Sequence, residues 1–123
     1  MRRPSSSSSA FEKGRNSEHL VEAQLVSKGW RVLARNWRGG RGELDIVVEK
    51  DKALRFVEVR RRETVPSGLE SVTVRKQRSL KSAANAWLQR STVEYDEATF
   101  LLAVVFPQRQ RQCVYWLDNP FDE

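Results

Sequence analysis

Apolar residues along this 123-residue chain recur first at helical spacing, then in short strand-like runs, then at helical spacing again before two last runs. In residues 16–28, Leu20, Val21 and Leu25 share one helical face. Asn16 or Ser17 can cap the start, and Gly29 follows the end as a C′ residue. Residues 30–37 predict a strand, and Arg38-Gly39-Gly40-Arg41-Gly42 a flexible turn out of it. Two β-branched runs follow, residues 42–48 and 54–60, separated by a short polar stretch that predicts a hairpin turning at Asp51 and Lys52. That register sets Glu49 opposite Leu54, Val47 opposite Phe56, Asp45 opposite Glu58 and Glu43 opposite Arg60, all on one sheet face. A loop with Pro66, Ser67 and Gly68 leads to a second helix over residues 73–90, whose stripe is Leu80, Ala83, Ala84, Trp87 and Leu88. Strands are expected over 99–106 and 113–117, joined by a turn at 107–112.

The order helix, three strands, helix, two strands defines an α/β domain. The long connection through the second helix predicts a mixed sheet, with strand 99–106 parallel to a hairpin strand. Size favours one domain, residues 14–123. Residues 1–13 read as a disordered Ser/Arg-rich tail, too polar for a secretory signal.

The hairpin sets two carboxylates, Asp45 and Glu58, face to face within apolar runs. Like charges directly opposite repel, and an apolar surrounding resists ionisation. Two solutions are open. Arg60 can neutralise Glu43 and Glu58 as a plain surface cluster, or a divalent cation can sit between the acids. Two carboxylates, a nearby backbone carbonyl and retained waters suit Mg²⁺, which equips a site for phosphodiester cleavage.

A net charge of +6 carried mostly by arginine points to an anionic partner. Arg38 and Arg41 beside glycines are expected phosphate contacts. Trp30 and Trp37 either cover the core or stack on an unpaired base. Arg75, Lys76, Arg78 and Lys81 make a basic start to the second helix. The single Cys113 excludes an internal disulfide and fits a small buried side chain, no Cys/His cluster has zinc spacing, and no run reaches the roughly 20 apolar residues of a membrane span. A cytoplasmic protein without membrane partners is the expectation. His19 reads as a solvated or capping residue.

The segments Gly14-Arg-Asn-Ser-Glu18, Ser27-Lys-Gly-Trp30, Arg35-Asn-Trp-Arg38, Gly42-Glu-Leu-Asp45, Phe56-Val-Glu58-Val-Arg60-Arg-Arg62 and Val72-Thr-Val-Arg-Lys76 together resemble the YraN-like family of small bacterial proteins. That family is similar to the PD-(D/E)xK, restriction-endonuclease-like nucleases and their Holliday-junction resolvases. The resemblance implies a three-layer α/β/α fold around a central mixed sheet and a Mg²⁺- or Mn²⁺-dependent DNA endonuclease acting on branched DNA, with a homodimer as the form suited to a two-stranded substrate. It implies Asp45, Glu58 and the Val59 carbonyl as metal ligands, and Glu18 as a further acid from the first helix. Arg60 would orient water and stabilise phosphate charge, Lys76 would make an outer contact, and Arg38, Arg41, Arg61, Arg62 and Arg75 would meet the nucleic acid. The sequence departs from the pattern where Arg60 replaces the usual lysine. Arginine stays protonated and cannot act as a general base, so the alternative is a catalytically impaired nucleic-acid-binding protein on a nuclease fold.

Overall fold

The computed structural model describes residues 10–121, and side chains from Asn16 onward. A helix α1 (Ala10–Ser27) leads into strands β1 (Arg31–Gly39), β2 (Gly42–Lys50) and β3 (Ala53–Arg61). A short helix α2 (Val65–Glu70), a long helix α3 (Val74–Arg90), and strands β4 (Glu97–Gln108) and β5 (Arg111–Asp118) complete it. The five strands lie in sequence order. β1, β2 and β3 are antiparallel, β3 and β4 run parallel, and β4 and β5 are antiparallel.

The mixed sheet expected from the long connection is therefore present, and its one parallel pair joins β3 to β4. One sheet face packs Ile46, Val48, Val57, Leu101, Ala103 and Val105 against Val21 and Leu25 of α1. The other packs Val47, Leu54 and Phe56 against Ala83, Ala84 and Trp87 of α3. Helices cover both faces, which gives three layers. β3 is central and buried on both sides, so residues at its C-terminal end are held by the most constrained strand of the domain.

Three local expectations change. The first helix begins at Ala10 rather than Asn16, because Ala10, Glu12 and Lys13 favour helix and one interior glycine, Gly14, costs only about 1 kcal/mol. Residues 10–13 of the expected tail are thus helical, and residues 1–9 lie outside the described residues. The stretch around Pro66 is not a loop: Thr64 caps it by accepting from the Ser67 N–H and the proline sits in the first turn, where its missing donor is harmless.

The glycine-rich turn between β1 and β2 is not flexible either. It is docked on α3. The Arg41 N–H donates to Ser82 Oγ at 2.9 Å, and Ser79 Oγ donates to the Arg41 carbonyl at 3.1 Å. A Cβ on Gly42 would stand 2.5 Å from the Ser79 carbonyl oxygen, and one on Gly40, whose φ is +58°, 2.6 Å from that of Ser82. Only glycine allows this approach. Gly42→Ala is expected to destabilise the fold by about 2 kcal/mol, measured by urea denaturation, as overpacking against rigid backbone does; an unchanged midpoint would refute the docking.

Thr73 caps α3 by accepting from the Lys76 N–H at 3.1 Å. Asp51 and Lys52 both have positive φ, as the expected tight hairpin turn requires. Trp30 and Trp37 pack against the two core layers, with Arg55 over the first ring and Arg90 over the second. Cys113 is a half-buried free thiol.

Candidate carboxylate site

The predicted register holds where it can be read: Val47 pairs with Phe56 and Glu49 with Leu54, and the ladder runs on to Ile46 with Val57. One residue further stand Asp45 and Glu58. There the backbone ladder gives way to a side chain, because Asp45 Oδ2 accepts the Val59 N–H at 2.8 Å.

The cause lies on β1. Ala34 pairs with Val47, Arg35 with Ile46 and Trp37 with Leu44, so the Asn36–Asp45 step is missing from the ladder, and Asn36 has a φ of +47°. This left-handed residue breaks the alternation. Leu44 and Val47, three apart and expected on opposite faces, both join the cluster under α3. The expectation that Glu43, Asp45, Val47 and Glu49 share one face is corrected by this kink, which turns the Asp45 carboxylate toward β3. Asn36 escaped the sequence reading as a site-forming residue, although an asparagine within a strand was a usable signal, since Asn tolerates the left-handed region.

Glu58 is 4 % exposed. Its Oε2 lies 3.1 Å from Arg60 Nη2 and 3.9 Å from Lys76 Nζ. Its Oε1 is buried with no hydrogen-bond partner. Burial and the neighbouring Asp45 charge push the Glu58 carboxyl up to about 8, against the pull of Arg60 and Lys76. Burial also raises Asp45, opposed by the Val59 N–H and Lys76. The pair therefore holds protons more tightly than free carboxyls do. The expected facing of Glu43 and Arg60 is corrected too: Glu43 pairs with Arg38 across β1 at 3.7 Å, and Arg60 turns to Glu58.

A hard divalent cation fits this donor set. It would ionise both acids, occupy the unpartnered Glu58 oxygen and remove the repulsion between them. Among the described residues no three His, Cys, Asp or Glu side chains gather in one place, so a backbone carbonyl and waters would have to complete the shell.

Arg38, Arg41 and Lys76 line one recess together with Glu43. Arg75 adjoins it on α3. Arg61 turns to the α1 face, beside Ser17 and Leu20, and pairs with Glu63 at 2.9 Å. The Arg62 guanidinium donates to the Arg61 carbonyl. Glu18 is half-buried on α1 beside the buried Ser17, and His19 is exposed. The structure thus joins Asp45, Glu58, Arg60 and Lys76 into one cluster with Arg38 and Arg41 at its rim, while Arg61 stands on the other face.

Charge follows the strand direction. The end of the sheet holding the C-terminus of β3 carries Arg38, Arg41, Arg60, Arg61 and Arg62, whereas at the opposite end Glu49, Asp51, Asp96, Glu97 and Asp118 are interleaved with Arg31, Lys50, Lys52 and Arg55.

Fold and site together define a small α/β domain in which a buried glutamate at the C-terminal end of the central strand meets a half-buried aspartate of the neighbouring strand, beside a basic rim. Residues 17–110 match the model of the uncharacterised protein family UPF0102. The chain belongs to that family. It is 37% identical over 107 residues to a UPF0102 protein of Rhodopseudomonas palustris strain HaA2, covering 84% of this chain and 81% of the relative. A UPF0102 protein of Nitrobacter winogradskyi is 37% identical over 98 residues, covering 76% and 83%. One of Mesorhizobium japonicum is 34% identical over 110 residues, covering 87% of each chain. No helix among the described residues is long and apolar enough to cross a membrane.

Proposed function

We propose that the protein is a Mg²⁺- or Mn²⁺-dependent DNA endonuclease that hydrolyses a phosphodiester bond in branched or otherwise structured DNA. The observation that carries this reading is the Asp45/Glu58 pair, with Asp45 half-buried and Glu58 buried with one oxygen unpartnered, behind Lys76, which lines a recess together with Arg38 and Arg41. The nuclease class and the branched substrate rest on the resemblance of the sequence segments to resolvase-like enzymes.

Asp45 and Glu58 would hold the cation, which when bound supplies Lewis acidity to a water and to the phosphate. The Val59 N–H fixes Asp45, so its carboxylate is held in one orientation. Arg60 and Lys76, both within 4 Å of Glu58, offer fixed positive charge to the developing phosphorane oxygens. Arg60 contributes charge and hydrogen bonds and no proton acceptance. Arg38 and Arg41 would seat flanking phosphates.

The test is incubation of a fluorescently labelled four-way junction, a matched duplex and a single strand with the protein, with Mg²⁺, with Mn²⁺ or with chelator. Metal-dependent cutting is expected, and Asp45→Ala should lower it by about a hundredfold or more. No metal-dependent cutting of any of the three substrates would overturn the nuclease reading.

The Arg60–Glu58 ion pair favours one second reading, a nucleic-acid-binding module in which that pair is a structural feature. Calorimetry separates the two. Mg²⁺ binding that is lost in Glu58→Gln belongs to the nuclease, and no binding at millimolar metal belongs to the module.

A further inference from the structure

On the far side of the docked Arg41 turn lies a second recess, lined by Arg41, Arg75, Arg78, Ser79 and Ser82. On α3 the last four stand at i, i+3, i+4 and i+7, one continuous stripe. Lys76 lies one position off that stripe, in the carboxylate recess. Arg41 borders both. The two hollows are therefore neighbours, divided by the tip of a turn that α3 itself holds rigid.

Their chemistry differs. The first contains carboxylates, with Glu43 on its wall and Glu58 against Lys76. The second contains none. Most other arginines of the domain are already engaged: Arg31, Arg35, Arg38, Arg55, Arg60 and Arg61 each pair with a carboxylate. Among the described residues Arg41, Arg75 and Arg78 have no such partner and are exposed. Three unneutralised guanidiniums on one hollow repel each other, and a dianion or a phosphodiester would relieve that repulsion through planar, forked hydrogen bonds. The serine hydroxyls are occupied in holding the Arg41 backbone, so they fix the wall rather than read the ligand.

We infer that this second recess is a phosphate-anchoring subsite, which grips an uncut phosphodiester of the DNA backbone next to the one presented to Asp45 and Glu58. This rests on the proposal that DNA is the partner, and it separates gripping from cutting: the anchor works without metal and without the carboxylates. The strand crosses the Arg41 tip, with one phosphate on each side of it. Contacts of this kind position a duplex or single strand without reading its sequence.

Binding of a fluorescein-labelled duplex is measured by anisotropy in chelator from 50 to 300 mM salt, for wild type, Arg75→Ala/Arg78→Ala, and Arg31→Ala/Lys52→Gly. The last variant removes two positive charges at the opposite end of the sheet. The anchor variant is expected to bind about tenfold more weakly at 100 mM salt, with its salt slope reduced by about 2. The distal variant should change both by far less. Arg75→Gln/Arg78→Gln repeats the test should the alanine variant unfold by circular dichroism. Equal weakening by the anchor and distal variants would show diffuse attraction and overturn the subsite, as would wild-type binding too weak to measure at 50 mM salt, or tight binding to heparin with none to DNA. Binding that responds as expected in a protein that never cuts would sink the nuclease proposal and leave the anchor standing.

Discussion

Raising the pH from 5 to 8 is expected to destabilise the metal-free fold by a few kcal/mol, and Glu58→Gln to remove most of that loss, the raised Asp45 keeping the rest. The Glu58 carboxyl titrates near 8 in the folded protein against an ordinary 4.5. Below about pH 4.5 both folded and unfolded chains are protonated at this position, so it contributes no pH dependence. Between 4.5 and 8 the unfolded chain gives up its proton while the folded chain keeps it, so stability falls by about 1.4 kcal/mol per pH unit over that window. Above 8 the loss is complete.

Carboxylates of the opposite kind act elsewhere. Glu22 and Glu49, whose pKa values are lowered by Arg35 and Arg31, hold stability that is lost only as the pH drops through their folded values. The maximum is thus expected near pH 5. Urea melts at pH 5 and pH 8 measure it, and a wild-type profile flat across that interval would contradict a buried, proton-retaining Glu58. Mg²⁺ should raise the midpoint at pH 8, where the pair can ionise, and leave it nearly unchanged at pH 5. Glu58→Gln should not respond to metal at either pH.

The second large effect is expected at Asn36. Asn36→Val should cost about 2–3 kcal/mol, whereas Asn36→Gly should be close to neutral. Asn36 stands at φ +47°, a region that a β-branched residue enters only with strain and glycine enters freely. Valine would press β1 back toward regular alternation. Leu44 could then no longer share a face with Val47, and Asp45 would lose its turn toward the Val59 N–H. The amide of Val59 reports this directly: its hydrogen-exchange protection should fall in Asn36→Val and persist in Asn36→Gly. Equal stability of the two variants would show that the kink does not depend on residue 36.

The parts legible beforehand were those governed by period and pairing. The apolar runs of residues 42–48 and 54–60 and the polar stretch between them set the hairpin register over the observed ladder, and extending it one step brings Asp45 beside Glu58. The stripe from Leu80 to Leu88 set the face of α3. What stayed hidden depends on single backbone angles and on contacts distant in sequence. Period-two counting presumes unbroken strands, and one left-handed Asn36 invalidates it from there to the tip. That counting sent Arg60 toward Glu43, whereas the relaxed end of the hairpin leaves Glu43 to Arg38. The glycines of the Arg38–Gly42 stretch suggested freedom because composition carries no trace of α3 pressing on them. Adjacency groups Arg61 with Arg60 and Arg62, yet strand alternation sends it to the other side of the sheet.

The surplus of basic side chains at one end of the strands, against charges that nearly cancel at the other, makes the domain a compass needle as well as a scaffold. In the field of a polyanion such a molecule rotates before it touches, so encounters begin with the Arg38 and Arg41 end forward, and fewer collisions are wasted on wrong orientations. The torque is felt only within a Debye length of about 8–10 Å at physiological salt. Docking speed, far more than residence time, is what this layout governs, and dilution of the buffer would quicken arrival while leaving departure comparatively untouched.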